Sequence, residues 1–137
     1  MTDLIEVKTA DLAGEALNWA VAVVAHGKVY VYPDGGLCPP EGTVSMNDDD
    51  GTLWVNSGGF HPKDQWAPST NWAQGGPLFD EHWPTFSFAE GLVRAEVIVA
   101  SGQMFSAIGP DYLVAACRAI VAARHGEPIN VPKELTP

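Results

Sequence analysis

Basic residues are scarce in this chain: 7 Lys and Arg stand against 17 Asp and Glu, for a formal net charge of −10. A nucleic-acid backbone is held by clustered Lys and Arg that displace counterions, so DNA or RNA binding is not an expected function. Imitation of DNA is disfavoured too, because the carboxylates are scattered apart from Asp48-Asp49-Asp50 and the Asp80-Glu81 pair. Cysteine is limited to Cys38, in a Pro-rich stretch, and Cys117, inside an apolar helical pattern where a thiol behaves as a small hydrophobe. That usage fits a reduced, cytoplasmic setting. No run of eighteen apolar residues occurs, and Met1 to Glu6 shows no basic region leading into an apolar stretch, so neither a membrane span nor a secretion signal is expected.

Signatures of chemistry are also missing. His26, His61, His82 and His125 have no close zinc spacing with each other or with the cysteines. Placing Gly51 at the invariant glycine of a calcium loop would put Met46 at the first ligand position and Ser57 at the bidentate one, so that register fails and Asp48-Asp49-Asp50-Gly51 reads as a solvated turn. No metal and no cofactor are expected. With no P-loop, dinucleotide fingerprint or nucleophile elbow, an enzyme is not indicated; a hydrolase or transferase would need Ser69 or Thr70 beside His61 or His82.

What the chain does contain is a clear run of secondary-structure patterns. Its 137 residues suit one domain, 1–137. Leu12, Ala16, Trp19, Ala20 and Val23 fall at helical spacing between Asp11 and His26, with Thr9 or Asp11 as the cap and Gly27 as the stop. Lys28 to Tyr32 alternates as a strand, and Thr52 to Asn56 is a second. Residues 37–51, rich in Pro, Gly and Asp, read as a surface loop or insertion. Pro84 to Phe88, Leu92 to Ala100 and Gln103 to Ile108 predict an antiparallel meander. A closing helix follows, with Pro110 at its first position and Gly126 at its end, and 127–137 reads as an extended tail whose prolines exclude a central strand. The expected fold class is α+β: an antiparallel sheet of about four to five strands with an N-terminal and a C-terminal helix packed on it.

The stretch Pro68 to Pro77 follows neither period and mixes hydrogen-bonding side chains, an aromatic ring and two glycines. It predicts an open binding loop. Ser69, Thr70, Asn71 and Gln74 would supply donors and acceptors, Trp72 a stacking face, and Gly75 and Gly76 a close approach to backbone. Arg118, a lone charge in an apolar run, is the expected anion partner. The alternative is a loop folded on itself, with Arg118 paired to a nearby carboxylate on the helix surface.

Three blocks carry a family resemblance. Asp11-Leu12-Ala13-Gly14-Glu15-Ala16-Leu17-Asn18-Trp19-Ala20-Val21-Ala22, the Pro68 to Leu78 stretch, and Gly109-Pro110 through Arg118 with Gly126 and Val131 to Leu135 are similar to the opening helix, central loop and closing helix and tail of the NinX-like family of small phage and prophage proteins. The chain departs from that pattern at Asn18 and Asn71, where members often carry Asp, and at Asp111-Tyr112, where Thr-Pro is common. The resemblance implies a phage-derived accessory protein in the cytoplasm of the bacterial host and brings no established activity with it. The leading expectation is a non-enzymatic accessory protein that binds a small polar or nucleotide-like ligand through the 68–77 loop, helped by Arg118 or the tail. The alternative is an interaction module docking on a host or phage protein, with Trp66, Trp72 and Trp83 as anchors. A homodimer is the default assembly.

Overall fold

The computed structural model describes residues 3–32, 39–47, 50–57 and 62–136. In chain order these form β1 (Leu4–Val7), a 3-10 turn (Thr9–Asp11), α1 (Gly14–His26), β2 (Val29–Tyr32), β3 (Val44–Asn47), β4 (Leu53–Asn56), β5 (Pro62–Gln65), α2 (Trp72–His82), β6 (Thr85–Ala89), β7 (Leu92–Ile98), β8 (Met104–Gly109), α3 (Tyr112–Arg124), β9 (Ile129–Pro132) and a second 3-10 turn (Lys133–Leu135). The α+β class is as expected, with a third helix. In place of one sheet, the described strands make three: a β1–β9 ribbon, a four-stranded β2–β3–β4–β5 sheet and a β6–β7–β8 meander. The second is mixed, since β2 and β3 run parallel.

The two long helices are buried by small and branched residues. In α1, Leu17, Ala20 and Val21 are fully buried, and Gly27 closes the helix at φ 84° with its N–H on the Val23 carbonyl. The start differs from expectation: Ala13 occupies the cap, and Thr9 and Asp11 lie in the preceding 3-10 turn. Thr9, buried, instead donates its hydroxyl to the Glu127 carboxylate. In α3, Asp111 is the cap, its Oδ1 accepting the Val114 N–H at 2.9 Å, so Pro110 precedes the helix. Ala115, Ala116 and Ala119 let α3 lie close on β7 and β8; a Cβ on Gly109 would stand 2.8 Å from the Ala115 nitrogen. The buried residues of α1, α3, the sheets and the C-terminal strand join in one core cluster.

Two segments read as peripheral are core elements. Within 37–51, Val44, Ser45 and Met46 are buried, and β3 sits between β2 and β4. Its polar interruption is satisfied across the sheet, where Ser45 Oγ bonds Asn56 and the Asn56 amide also donates to Thr43. Within 127–137, β9 pairs antiparallel with β1 and buries Ile129 and Val131, and Leu135 is buried beyond it. The prolines are tolerated because this ribbon has only two strands, and Pro132 ends it.

Candidate functional site

The residues expected to form an open loop divide into structural and exposed groups. Pro68 to Thr70 make a turn, Asn71 caps α2 by accepting the Ala73 N–H at 2.9 Å, and Trp72 begins the helix. The expectation of an irregular loop through Pro77 is therefore corrected: Gln74, Gly75, Gly76 and Pro77 are helical. Pro77 stands in the middle of α2, where it removes one intrahelical bond, to the Ala73 carbonyl.

Most of the polar atoms in this stretch are engaged internally. Ser69 is 2% exposed, and its N–H and hydroxyl both donate to Asn18 Oδ1, at 3.0 and 2.8 Å. Thr70 Oγ1 turns back to the Ala67 carbonyl. Gln74 clamps the entry to the helix, accepting the Ala67 N–H at 2.6 Å and donating to the Gln65 carbonyl at 2.7 Å. Gly75 is a packing position: a Cβ there would lie 2.3 Å from the Pro68 carbonyl oxygen and 2.7 Å from Leu113 Cδ2. Among the described residues Arg118 meets carbonyls and no carboxylate: its Nε donates to the Leu12 carbonyl at 2.7 Å and its guanidinium to the Ile108 carbonyl at 2.8 Å, tying the lead-in of α1 to β8. Trp66 is buried, with its indole N–H on the Asn18 carbonyl, which removes it from the set of surface anchors.

Besides Trp83, the α2 cap at 78% exposure, and the exposed Thr70 and Asn71, Trp72 faces outward, at 55%. It belongs to an aromatic patch that the sequence reading did not assemble. The Trp72 ring lies 5.5 Å from Phe79 and 6.5 Å from Tyr112; Phe86 bridges Phe79 and Tyr112 at 5.4 and 5.0 Å; Phe88 meets Tyr112 edge-on at 5.6 Å. Each residue has a local reason to be there. Trp72 and Phe79 are two turns apart on α2; Phe86 and Phe88 alternate onto one face of β6; Tyr112 follows the α3 cap. Phe88 is 67% exposed, and Tyr112 is also exposed. The available signal was the Phe86/Phe88 alternation, which puts two aromatic rings on the same side of an edge strand.

Exposed carboxylates adjoin these residues in sequence. Asp80 follows Phe79, Asp111 precedes Tyr112 and Glu90 lies two residues beyond Phe88, all exposed. From residue 64 to 132 the sequence has three Lys or Arg residues: Arg94, Arg118 and Arg124. Arg118 is held by carbonyls, and Arg124 donates to Nδ1 of the buried His82 at 3.2 Å. Burial, and then the Arg124 guanidinium, hold His82 below its ordinary value, which keeps Nδ1 available as an acceptor.

Among the described residues, the expected nucleophiles are engaged by other partners. The Ser69 and Thr70 hydroxyls donate to Asn18 and Ala67, His82 faces Arg124, and His61 lies outside the described residues. Asp50 accepts the N–H and hydroxyl of Thr52, which lowers its carboxyl's affinity for protons in an exposed turn, and no cluster of three or more His, Cys, Asp or Glu able to hold a metal occurs among the described residues. Burial pushes the Cys117 thiol up to about 12, the value of an inert packing group; Cys38 lies outside the described residues. A cleft of about 500 Å³ lined by Glu6, Lys8, Glu127 and Pro128 contains none of the expected site residues. No helix among the described residues is long and apolar enough to cross a membrane.

No curated protein matches the chain. The family model described as bacteriophage P22 NinX matches residues 8–124, from the 3-10 turn before α1 to the end of α3, and so spans every residue of the aromatic patch. With most of its length matched by that model, the chain belongs to the phage P22 NinX family.

Proposed function

We propose that this chain is a phage accessory protein that acts by docking, not catalysis, through the patch formed by Trp72, Phe79, Phe86, Phe88 and Tyr112. The observation that carries this reading is the grouping of the exposed Trp72, Phe88 and Tyr112 rings with the exposed carboxylates Asp80, Glu90 and Asp111. Aromatic rings anchor protein interfaces because they bury a large area with few rotors, and a basic partner would neutralise the rim while its Lys or Arg stems and cations cover the ring faces. The partner class is therefore a protein presenting a basic, partly apolar surface.

A photo-crosslinking residue at position 88, introduced in host cells during phage growth, tests this. Crosslinks to a partner with a basic contact surface, lost in Trp72→Ala and weakened by salt, are the expected result. Crosslinks unaffected by Trp72→Ala and by salt would overturn it.

A second reading rests on the exposed indole alone. In it Trp72 stacks a flat, nucleotide-like ligand, with Thr70 and Asn71 as the nearest exposed polar neighbours. Thermal-shift screening with nucleotides, against the chain and its Trp72→Ala variant, separates the two: a shift abolished by the substitution favours the ligand.

A further inference from the structure

The β6–β7–β8 meander has a second face, turned away from α3. Alternation fixes it: Val93, Ala95 and Val97 are buried towards α3, so Leu92, Arg94, Glu96 and Ile98 point the other way. In register across the pair, Arg94 lies opposite Ile108, and Ile98 opposite Met104. Leu92, Ile98, Met104 and Ile108 are all exposed, Ile98 at 64%. A sheet face with large aliphatic residues at both ends is expected to be covered.

Its charges indicate by what. The strands of the meander contain two charged residues, Arg94 and Glu96, neighbours on this same face, so the face is neutral on a chain whose net charge is −10. A basic partner gains nothing there, whereas a second copy of the chain offers the complement. If two copies meet face to face about a two-fold axis perpendicular to β7, Arg94 of each stands over Glu96 of the other. The end carrying Ile98 and Met104 then covers the end carrying Leu92 and Ile108. With the axis parallel to β7, Arg94 would face Arg94, which is disfavoured.

We propose that the chain forms a symmetric homodimer by packing the open faces of its two β6–β7–β8 sheets against each other, with β7 antiparallel to its copy and reciprocal Arg94–Glu96 pairs at the centre. This surface is the side of the sheet opposite Phe86 and Phe88, so the dimer leaves the aromatic patch free.

Sedimentation velocity at protein concentrations up to the order of 100 µM reads the association directly. The unsubstituted chain is expected to sediment as a dimer, and Ile98→Glu as a folded monomer. Arg94→Glu, which sets carboxylate against carboxylate, is expected to weaken the dimer about tenfold or more, and the swap R94E/E96R to restore most of that loss. Trp72→Ala is expected to leave the dimer intact, which separates this interface from the docking patch. A monomer at all concentrations, a dimer that survives Ile98→Glu, or a double swap no better than Arg94→Glu would each overturn the proposal.

Discussion

Adding one methyl group at Gly75 and one at Gly76 should have unequal effects. In a helix interior, Gly→Ala ordinarily stabilises by about 0.8–1 kcal/mol, because the glycine backbone loses more freedom on folding. At Gly76 the nearest heavy atom to the new Cβ, chain neighbours aside, is Trp72 Cε3 at 3.9 Å, an ordinary contact, but the ring of Pro77 crowds a Cβ on the helical residue before it, so only part of the gain is expected there. At Gly75 the Cβ meets the Pro68 carbonyl oxygen at 2.3 Å and Leu113 Cδ2 at 2.7 Å. Leu113 can rotate away, but Pro68 is backbone in a buried turn held by the Ser69–Asn18 bonds, so α2 must shift from α3. Overpacking of that kind costs about 1–3 kcal/mol, which outweighs the propensity gain. Urea denaturation should therefore place Gly75→Ala below Gly76→Ala by up to about 3 kcal/mol, the overpacking cost, because the propensity gain is common to both. Equal stabilities would refute the close packing of α2 and return the Gly-Gly pair to an open, ligand-facing role.

Other substitutions report on the same division between scaffold and surface. Asn18→Ala leaves the buried Ser69 N–H without its acceptor and should destabilise by about 1–3 kcal/mol in the same assay. Arg118→Met keeps the aliphatic stem but removes the bonds to the Leu12 and Ile108 carbonyls; a loss of about 1–3 kcal/mol is expected, whereas an arginine reserved for a ligand anion would cost little stability. His82 and His26 are both held below their ordinary value of 6.5, chiefly by burial, so the folded chain binds fewer protons than the unfolded one. Their contribution to stability is complete above pH 6.5 and is lost as the pH falls through the lowered folded values. Denaturation midpoints measured across that window should drop on acidification, and His82→Gln should flatten the slope.

The elements legible in the sequence were those whose pattern is local. α1, α3 and the meander follow from helical spacing or alternation, with Gly27 ending α1 and the Glu90-Gly91 turn, both residues at positive φ, joining β6 to β7. β3 was hidden because four residues carry too little periodicity to stand out, and its Ser45 is made compatible with burial only by Asn56, eleven residues away. β9 was hidden for the same reason, since its pairing partner, β1, is at the other end of the chain. For α2, the Gly-Gly-Pro sequence argues against a helix by propensity, and tertiary packing decides otherwise: Gly75 is required by the contact with Pro68 and Leu113. The site suffered from the same limit. Side chains chosen as ligand donors, Ser69 and Gln74, have partners that no local reading supplies, whereas Trp72 and Tyr112, forty residues apart, become neighbours only when α2 and α3 pack.

The departure at residues 18 and 71 can be put on the same physical footing. At Asn71 the side-chain oxygen caps α2, a task Asp performs equally well and with added attraction to the positive end of the helix, so either residue is compatible with the fold. Asn18 is different. Its Oδ1 accepts from Ser69 while its amide donates to Glu15 Oε1 at 3.1 Å, and both roles are used. An Asp there would keep the bonds from Ser69 but set a buried carboxylate against Glu15, whose other oxygen is buried without a partner among the described residues. The two carboxylates would then repel each other, and the bond from residue 18 to Glu15 would be lost. Asn at position 18 thus lets the turn before α2 be anchored to α1 without a second charge, and the aromatic patch is presented from a helix whose entry is fixed by neutral bonds.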